Sequence, residues 1–433
     1  MGYSTDTRTL RRGDIYVAIQ GERYDGHHFV ADAIGKGASK AIVERAIDGI
    51  PPEKLDIVDN AIVHLADLAA FRIRKSQSQV IAITGSVGKT TTRSAITEVL
   101  RTSGPVVSST GNLNTLLGLS LTLVNSDLQK ETRLVLEMGA SKKGDLADIC
   151  HYFKPDISVI TNVRGVHLEM LGSIEGVQYE KSELVRALES KGIACLNADD
   201  PWTRGMVTQC KGEHVFYGKS ADAHIQPHDI TASVPLLGDH VIYILMAAFC
   251  VGHVLGIAPD TINHALSHLK PQKGRLNRLL GKDGSILIDD SYNASPDAVM
   301  AALQVLSSQS AKRRVVFLGD MLELGDKEEE AHRDILLRAA ENADLIYGCG
   351  TRLQNAAKHL YSQRNLEIKC YPESQGLARE LASGSIYAPQ SGDVILVKGS
   401  QGARMERVSR ALLSEDVSPE SVLPRQSKAW LSI

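Results

Sequence analysis

Paired cysteines are absent from this chain of 433 residues. Its six cysteines, Cys150, Cys195, Cys210, Cys250, Cys349 and Cys370, are scattered with no C-x-x-C spacing. That argues against a disulfide framework and a zinc cluster, and a reducing, cytoplasmic setting is the expectation. A field of one charge is absent as well. Lys and Arg number 48 against 51 Asp and Glu, a net of -3, so nothing favours nucleic acid as a partner and there is no like-charge tail. The start of the chain, Met1 to Arg8, is polar and lacks the apolar region of a secretion signal. Internal repeats and low-complexity stretches are missing too. The single long apolar run, Val241 to Ala258, approaches the minimum for a membrane span, but it contains Gly252 and His253 and has no basic flank. A buried helix, and no membrane span, is the expectation. With 43% hydrophobic and 23% charged residues, the chain reads as an ordinary globular protein acting on small molecules, and as a monomer.

What is present is organised around Val80-Ile-Ala-Ile-Thr-Gly-Ser-Val-Gly-Lys-Thr-Thr-Thr92. An apolar run breaks into glycines, and apolar residues resume at helical spacing from Ser94 to Leu100, which predicts strand, glycine turn and helix. Gly85, Ser86, Val87, Gly88, Lys89, Thr90 and Thr91 would cradle phosphates with backbone N–H groups at a helix mouth. Lys89 would reach the terminal phosphates and Thr90 a Mg²⁺ ion. Ile83 stands where the eight-residue form of this loop has its first glycine, so the version here is compressed. The bland alternative is a glycine-rich turn with no ligand. Gly, Lys and paired Thr meeting at one strand-to-helix junction favour ATP or GTP.

The expected fold class is α/β in three domains. Residues 1–77 form a small α/β unit, with strands at 14–19 and 40–43 and helices at 29–37 and 62–75. Residues 78–269 form a P-loop ATPase-type parallel sheet, whose further strands are 133–137, 157–162 and 192–197. After a linker at 270–274, residues 270–433 form a Rossmann-like sheet with strands at 285–289, 314–318, 344–347, 367–370 and 393–397, and an irregular tail after Leu413. Apolar runs that end in polar residues suit buried parallel strands, whose carboxyl ends carry the chemistry. Glu137, Asn162 and Asn197 to Asp200 would lie on the edge that holds the phosphate loop.

Further motifs sit beside this frame: Ser4-Thr-Asp-Thr-Arg8, Thr110-Gly-Asn-Leu-Asn114, Leu136-Glu-Met-Gly-Ala140, Thr161 to His167, Tyr179-Glu-Lys-Ser-Glu-Leu184, Gly238-Asp-His240, Lys273-Gly-Arg275, Asp289 to Pro296, Gly319 to Gly325, His332 and Lys398-Gly-Ser400. Read singly, most are bland. Ser4 to Arg8 is as readily a capped turn, and a lone Glu, His or Lys is more often an ordinary polar residue. Together, along nearly the whole chain, they resemble the Mur ligase family, in particular its D-alanyl-D-alanine-adding branch.

The resemblance implies an ATP-dependent peptide ligase of cell-wall precursor synthesis. It would join D-alanyl-D-alanine to a UDP-linked muramoyl tripeptide through an acyl phosphate. Ser4, Asp6, Thr7 and Arg8 would hold the uridine nucleotide, and Asn112, Asn114, Lys398 and Ser400 would also meet substrate. Thr90, Glu137 and His167 would be Mg²⁺ ligands, and Lys181 would act on the metal as a carbamylated lysine. Arg275 would meet the γ-phosphate, with Asp290 and Asn293 near the nucleotide. Lys89, Glu137, His167, Lys181 and Arg275 form the implied catalytic set. The chain departs from the family pattern at Val241 and Ile244, where asparagines usually follow the histidine. A ligase of the same fold for another acid and amine, or a non-catalytic nucleotide-binding relative, remains open on the residues.

Overall fold

A computed structural model describes residues 2–21, 24–166, 168–364 and 368–431. Three sheets carry it, parallel throughout except for one edge strand. The first has β1 (Tyr3–Ser4), β2 (Ile15–Val17), β3 (Lys40–Val43) and β4 (Leu55–Ile57) in sequential order. The second comprises β5 (Gln79–Thr84), β6 (Val106–Ser108), β7 (Arg133–Glu137), β8 (Ile157–Ile160), β9 (Ile193–Asn197) and β10 (Glu213–Tyr217), in the order β10-β9-β8-β5-β7-β6. The third comprises β11 (Asn277–Leu280), β12 (Ile286–Asp290), β13 (Arg313–Gly319), β14 (Leu345–Cys349), β15 (Lys369–Tyr371) and β16 (Asp393–Lys398), in the order β11-β12-β16-β13-β14-β15, with β11 antiparallel.

The central strands are where the apolar runs predict them, because a strand covered on both faces must be apolar at consecutive positions. Val80 to Thr84 are buried without a break, as are all six residues of β16. The expected helix at 62–75 is Ala61–Ser76, capped by Asn60, whose side chain accepts from the Val63 N–H at 3.0 Å. It packs on the helix Leu116–Val124. The run from Val241 forms the helix Val241–Val254, mostly buried. Among the described residues no helix is long and apolar enough to cross a membrane.

The tail after Leu413 is more ordered than expected. It makes short helical turns at Pro419–Val422 and Lys428–Leu431, and Leu423 is buried in the third sheet's core. Packing divides the chain into two compact units: Met1–Val163, Gln178–Thr231 and Tyr243–Leu266 in one, and Arg164–Val177, Ala232–Ile242 and Ser267–Ile433 in the other. The first unit holds the first two sheets and the second unit the third.

Candidate active site

In the second sheet the strand order turns back beside β5, whose neighbours are β7 and β8. The crevice at the carboxyl ends of such strands is where an open α/β sheet binds ligands. The loop Gly85–Gly88 leaves β5 at that point and opens the helix Lys89–Arg101. Gly85 is required by contact: at φ 147°, a Cβ there would lie 1.9 Å from Thr161 Oγ1. Gly88, at φ 86°, sits at the helix mouth in the left-handed region.

Residues after β8 clamp this loop. Thr161 Oγ1 and Asn162 Nδ2 donate to the Val87 carbonyl at 2.8 and 3.0 Å, and Asn162 Oδ1 accepts from the Val87 N–H at 3.0 Å. Lys89 Nζ donates to the carbonyls of Gly85 and Ser86 at 2.8 and 3.2 Å. Thr90 and Thr91 occupy the first turn. The Ser86 and Val87 N–H groups are taken by Asn162, so the mouth of the helix, from Gly88 to Thr91, is the part of this loop placed to meet an anion.

Glu137 closes β7 on the same edge and is 3% exposed. Its Oε1 accepts from Asn114 Nδ2 at 3.2 Å, and its backbone N–H donates to Ser109 Oγ at 3.0 Å. Arg93, one turn after Lys89 on the helix, holds Nη1 3.6 Å from Glu137 Oε2. That separation is an ion pair but too long for a hydrogen bond, and Oε2 is otherwise a buried oxygen without a hydrogen-bond partner. Asn112 is exposed on the preceding loop. His167 lies outside the described residues.

Lys181 ends the helix Ile174–Lys181 and is 3% exposed. Burial, and secondarily the charge of Lys89, push its amine down to about 7, against a smaller opposing effect of Glu180. Glu180 is occupied structurally: its two oxygens accept from the N–H groups of Gly144 and Leu146, both at 2.8 Å, and so cap the helix Asp145–Tyr152. A lysine with its proton weakened, near a second lysine, is suited to an anionic guest or to reaction as a free amine.

The residues expected at the uridine nucleotide form a turn after β1. Ser4 Oγ donates to the Asp6 carbonyl at 3.0 Å, and Arg8 reaches both oxygens of Asp6, the shortest contact being 2.7 Å. Arg8 is exposed, and its bonds hold the Asp6 carboxyl below its ordinary value. Lys36, and after it Thr7, bond to Asp32 and hold that carboxyl low as well. The turn is tied to the central sheet by Asn125, which pairs with the backbone of Tyr3 through Oδ1 at 2.7 Å and Nδ2 at 2.9 Å. Asn125 follows the helix Leu116–Val124, whose other end adjoins Asn114. That helix has nine residues, a length of roughly 14 Å.

In the other unit, Asp290 and Lys398 end the adjacent strands β12 and β16. Lys398 Nζ also donates to the Asn293 carbonyl at 2.9 Å. Asn293 itself is exposed, while Ser400 is buried, its Oγ accepting from the Leu322 N–H at 3.0 Å. Arg275 lies between Gly274, at φ 69°, and Leu276, at φ 47°. A left-handed leucine is a strained backbone, worth on the order of 1–3 kcal/mol, of the kind concentrated at functional sites. Two other motif residues have structural tasks. Asp320 accepts from the Leu353 N–H at 2.9 Å and caps a helix, and His332 accepts from the Met321 N–H at 2.9 Å.

Three consecutive segments match family descriptions: residues 2–70 the Mur ligase family catalytic domain, 83–252 the Mur ligase middle domain, and 274–401 the Mur ligase glutamate ligase domain. The UDP-N-acetylmuramoyl-tripeptide–D-alanyl-D-alanine ligase of Bacillus subtilis strain 168 is 32% identical over 96% of this chain and 94% of its own length. The chain belongs to the Mur ligase family. The Escherichia coli K12 ligase of the same name is 31% identical over 94% of this Mur ligase and 93% of its own length. Among solved structures, MurF from Acinetobacter baumannii superposes with a TM-score of 0.82 at 29% identity, over 94% of this chain and 92% of that one. MurF from Thermotoga maritima, in complex with ADP, gives 0.80 at 28% identity, over 95% and 96%.

The Mur ligase motifs single out the phosphate loop, Glu137 and Lys181, but not the groups that fix them. Nothing in the local sequence of Arg93 or Ser109 signals a partner. Asn125 and Arg425 are likewise defined by contacts distant in sequence, and Tyr292, inside the Asp289 to Pro296 motif, gains its partner Arg425 the same way.

Proposed function

We propose that this Mur ligase joins D-alanyl-D-alanine to the terminal carboxylate of a UDP-N-acetylmuramoyl tripeptide, with ATP converted to ADP and phosphate. The names of its relatives along their whole lengths support the substrates. The observation that supports the chemistry is local: the phosphate loop and the buried Glu137 follow neighbouring strands of one sheet, and the buried Lys181 feels the charge of Lys89.

The tripeptide carboxylate attacks the γ-phosphorus of ATP, the bond to ADP breaks, and an acyl phosphate forms. The amine of D-alanyl-D-alanine adds to the acyl carbon. The tetrahedral adduct then loses its proton and expels phosphate, leaving the amide. The helix mouth from Gly88 to Thr91 and the Lys89 ammonium hold the triphosphate and offset charge on the departing ADP, on a loop that Asn162 keeps in shape through Ser86 and Val87. Asn114 and the turn Ser4 to Arg8, at opposite ends of one helix, suit the peptide and nucleotide ends of an extended acceptor, with Asn112 beside the peptide end. Arg275, Asp290, Asn293, Lys398 and Ser400 enter this reading through the family resemblance.

A magnesium ion fits the donors present. Glu137 Oε2 is a buried oxygen without a hydrogen-bond partner, and Thr90 offers a hydroxyl. Among the described residues no cluster of three or more His, Cys, Asp or Glu could hold a metal alone, consistent with an ion that takes most of its ligands from phosphate and water. Bound there with His167 as a further ligand, it would neutralise phosphate charge. The free-amine form of Lys181, made accessible near neutral pH by burial, would add to CO₂ and lose a proton to give a carbamate; under the influence of Lys89, that anion would replace a repulsion with an attraction. A cytoplasmic, monomeric enzyme is the accompanying expectation.

Phosphate release from ATP and Mg²⁺ should require both the muramoyl tripeptide and D-alanyl-D-alanine, with the joined pentapeptide seen by mass spectrometry. Release with neither substrate dependence nor product would overturn this reading.

A further inference from the structure

Arg275 is mounted by three segments far apart in sequence. Its guanidinium lies over the ring of Tyr292, 4.1 Å from the centroid. On the same ring lies Arg425 from the C-terminal tail, at 5.6 Å. Arg425 is fixed by donating to the carbonyls of Tyr292 at 3.1 Å and Ser291 at 2.5 Å, and to Glu406 Oε2 at 2.8 Å. Its side chain is 5% exposed and that of Glu406 is 1%, so this is a built ion pair and not a surface contact. Glu406 is completed by Arg404 Nε at 2.6 Å.

The backbone around Arg275 is held by the same parts. The Tyr292 N–H donates to the Gly274 carbonyl at 3.1 Å, and a Cβ on Gly274 would lie 3.0 Å from both Tyr292 and Pro424. The Leu276 N–H donates to Asp290 Oδ1 at 3.1 Å. Arginine stacked by its face keeps its in-plane N–H groups for a phosphate. Arg275 Nε is buried without a hydrogen-bond partner, so the stack, and not a hydrogen bond, constrains that end of the side chain.

We propose that Tyr292, backed by Arg425 of the tail, is a positioning residue that orients Arg275 for the transferring phosphoryl group. The inference rests on the function proposed above and deepens it. Stacking of a desolvated cation on an aromatic ring is strong enough to select one orientation of a long side chain. An arginine aimed only part of the time would lower the rate of the chemical step and leave ground-state nucleotide binding nearly intact.

The test is a double-mutant cycle on the full chain, with kcat and the KM for ATP measured for ligation of the muramoyl tripeptide and D-alanyl-D-alanine. Tyr292→Leu is expected to lower kcat on the order of 10-fold with little change in KM, and Tyr292→Phe to restore most of the loss. In an Arg275→Ala background, Tyr292→Leu should cost nothing further. An equal loss in both backgrounds, or wild-type kcat for Tyr292→Leu, would overturn the proposal. If Tyr292→Leu does not fold, Arg425→Gln supplies the same cycle from the tail. Silence of the wild-type chain with this substrate pair would sink the proposed function, whereas an additive cycle in an active chain would sink only the positioning role.

Discussion

Asp290 and Lys398 stand opposite each other on adjacent parallel strands, Oδ2 to Nζ 2.5 Å, with both side chains nearly buried. The second oxygen of Asp290 holds the N–H of Leu276, the strained residue beside Arg275. A pair in this position links the end of the sheet to the loop that carries a phosphate-seeking arginine.

Breaking that pair should cost more than removing it. A lone buried charge is destabilising by about 3–5 kcal/mol, whereas replacing both partners with apolar groups of similar size is often near neutral. Lys398→Met is expected to show a loss of that order in urea unfolding. Asp290→Leu combined with Lys398→Met should recover most of it, while ligation stays low because the Leu276 N–H has lost its acceptor.

Lys181 should oppose stability where its proton is retained. Its folded-state value is depressed from 10.5 to about 7, so the unfolded chain binds more protons between those limits and stability rises with pH across that window. The penalty is full below about pH 7 and disappears above 10.5. Lys181→Met is expected to stabilise the chain by on the order of a few kcal/mol at neutral pH, with a smaller gain near pH 10, and to abolish turnover. Thermal unfolding at the two pH values, beside phosphate release, checks this. A short added carboxylate should partly restore turnover in Lys181→Ala if a carbamate operates.

At the phosphate loop, Gly85→Ala would drive a Cβ into Thr161 Oγ1, the group that holds the Val87 carbonyl. The backbone must then shift, and nucleotide affinity should fall at least about 10-fold by calorimetry with a non-hydrolysable ATP analogue. Gly35→Ala, where a Cβ meets nothing within 4 Å, is the control and should bind normally.

Glu137→Gln should raise the Mg²⁺ concentration needed for half-maximal phosphate release and lower kcat about 100-fold or more. Its melting temperature should fall as well, because the buried Arg93 loses its anionic neighbour, although the amide oxygen still accepts from Asn114.

Asn125→Ala removes both side-chain bonds to the backbone of Tyr3 without touching the phosphate loop. The KM for the uridine-linked substrate should rise several-fold while that for ATP stays put. Equal changes in both would detach the turn Ser4 to Arg8 from acceptor binding.

The sequence by itself determined the central architecture. β5, β7, β8, β9, β12, β13, β14 and β16 were legible because strands buried on both faces must be apolar at consecutive positions. The phosphate loop was legible because its glycines, lysine and threonines act through neighbouring residues. Five strands were missed, β1, β4, β6, β10 and β11, and each is an edge strand of its sheet. An edge is short and paired on one side only, so it carries little of that signal. The sequence motifs pointed to Glu137, Lys181 and Arg275, but only the tertiary structure decided what surrounds them. The depressed proton of Lys181 comes from burial, the hydrogen-bond-free oxygen of Glu137 from Arg93 stopping at 3.6 Å, and the mount of Arg275 from a tail read as irregular. Contacts such as Tyr292 to Arg425, 133 residues apart, leave no local pattern, because the chain between them is free to vary so long as the fold brings the ends together.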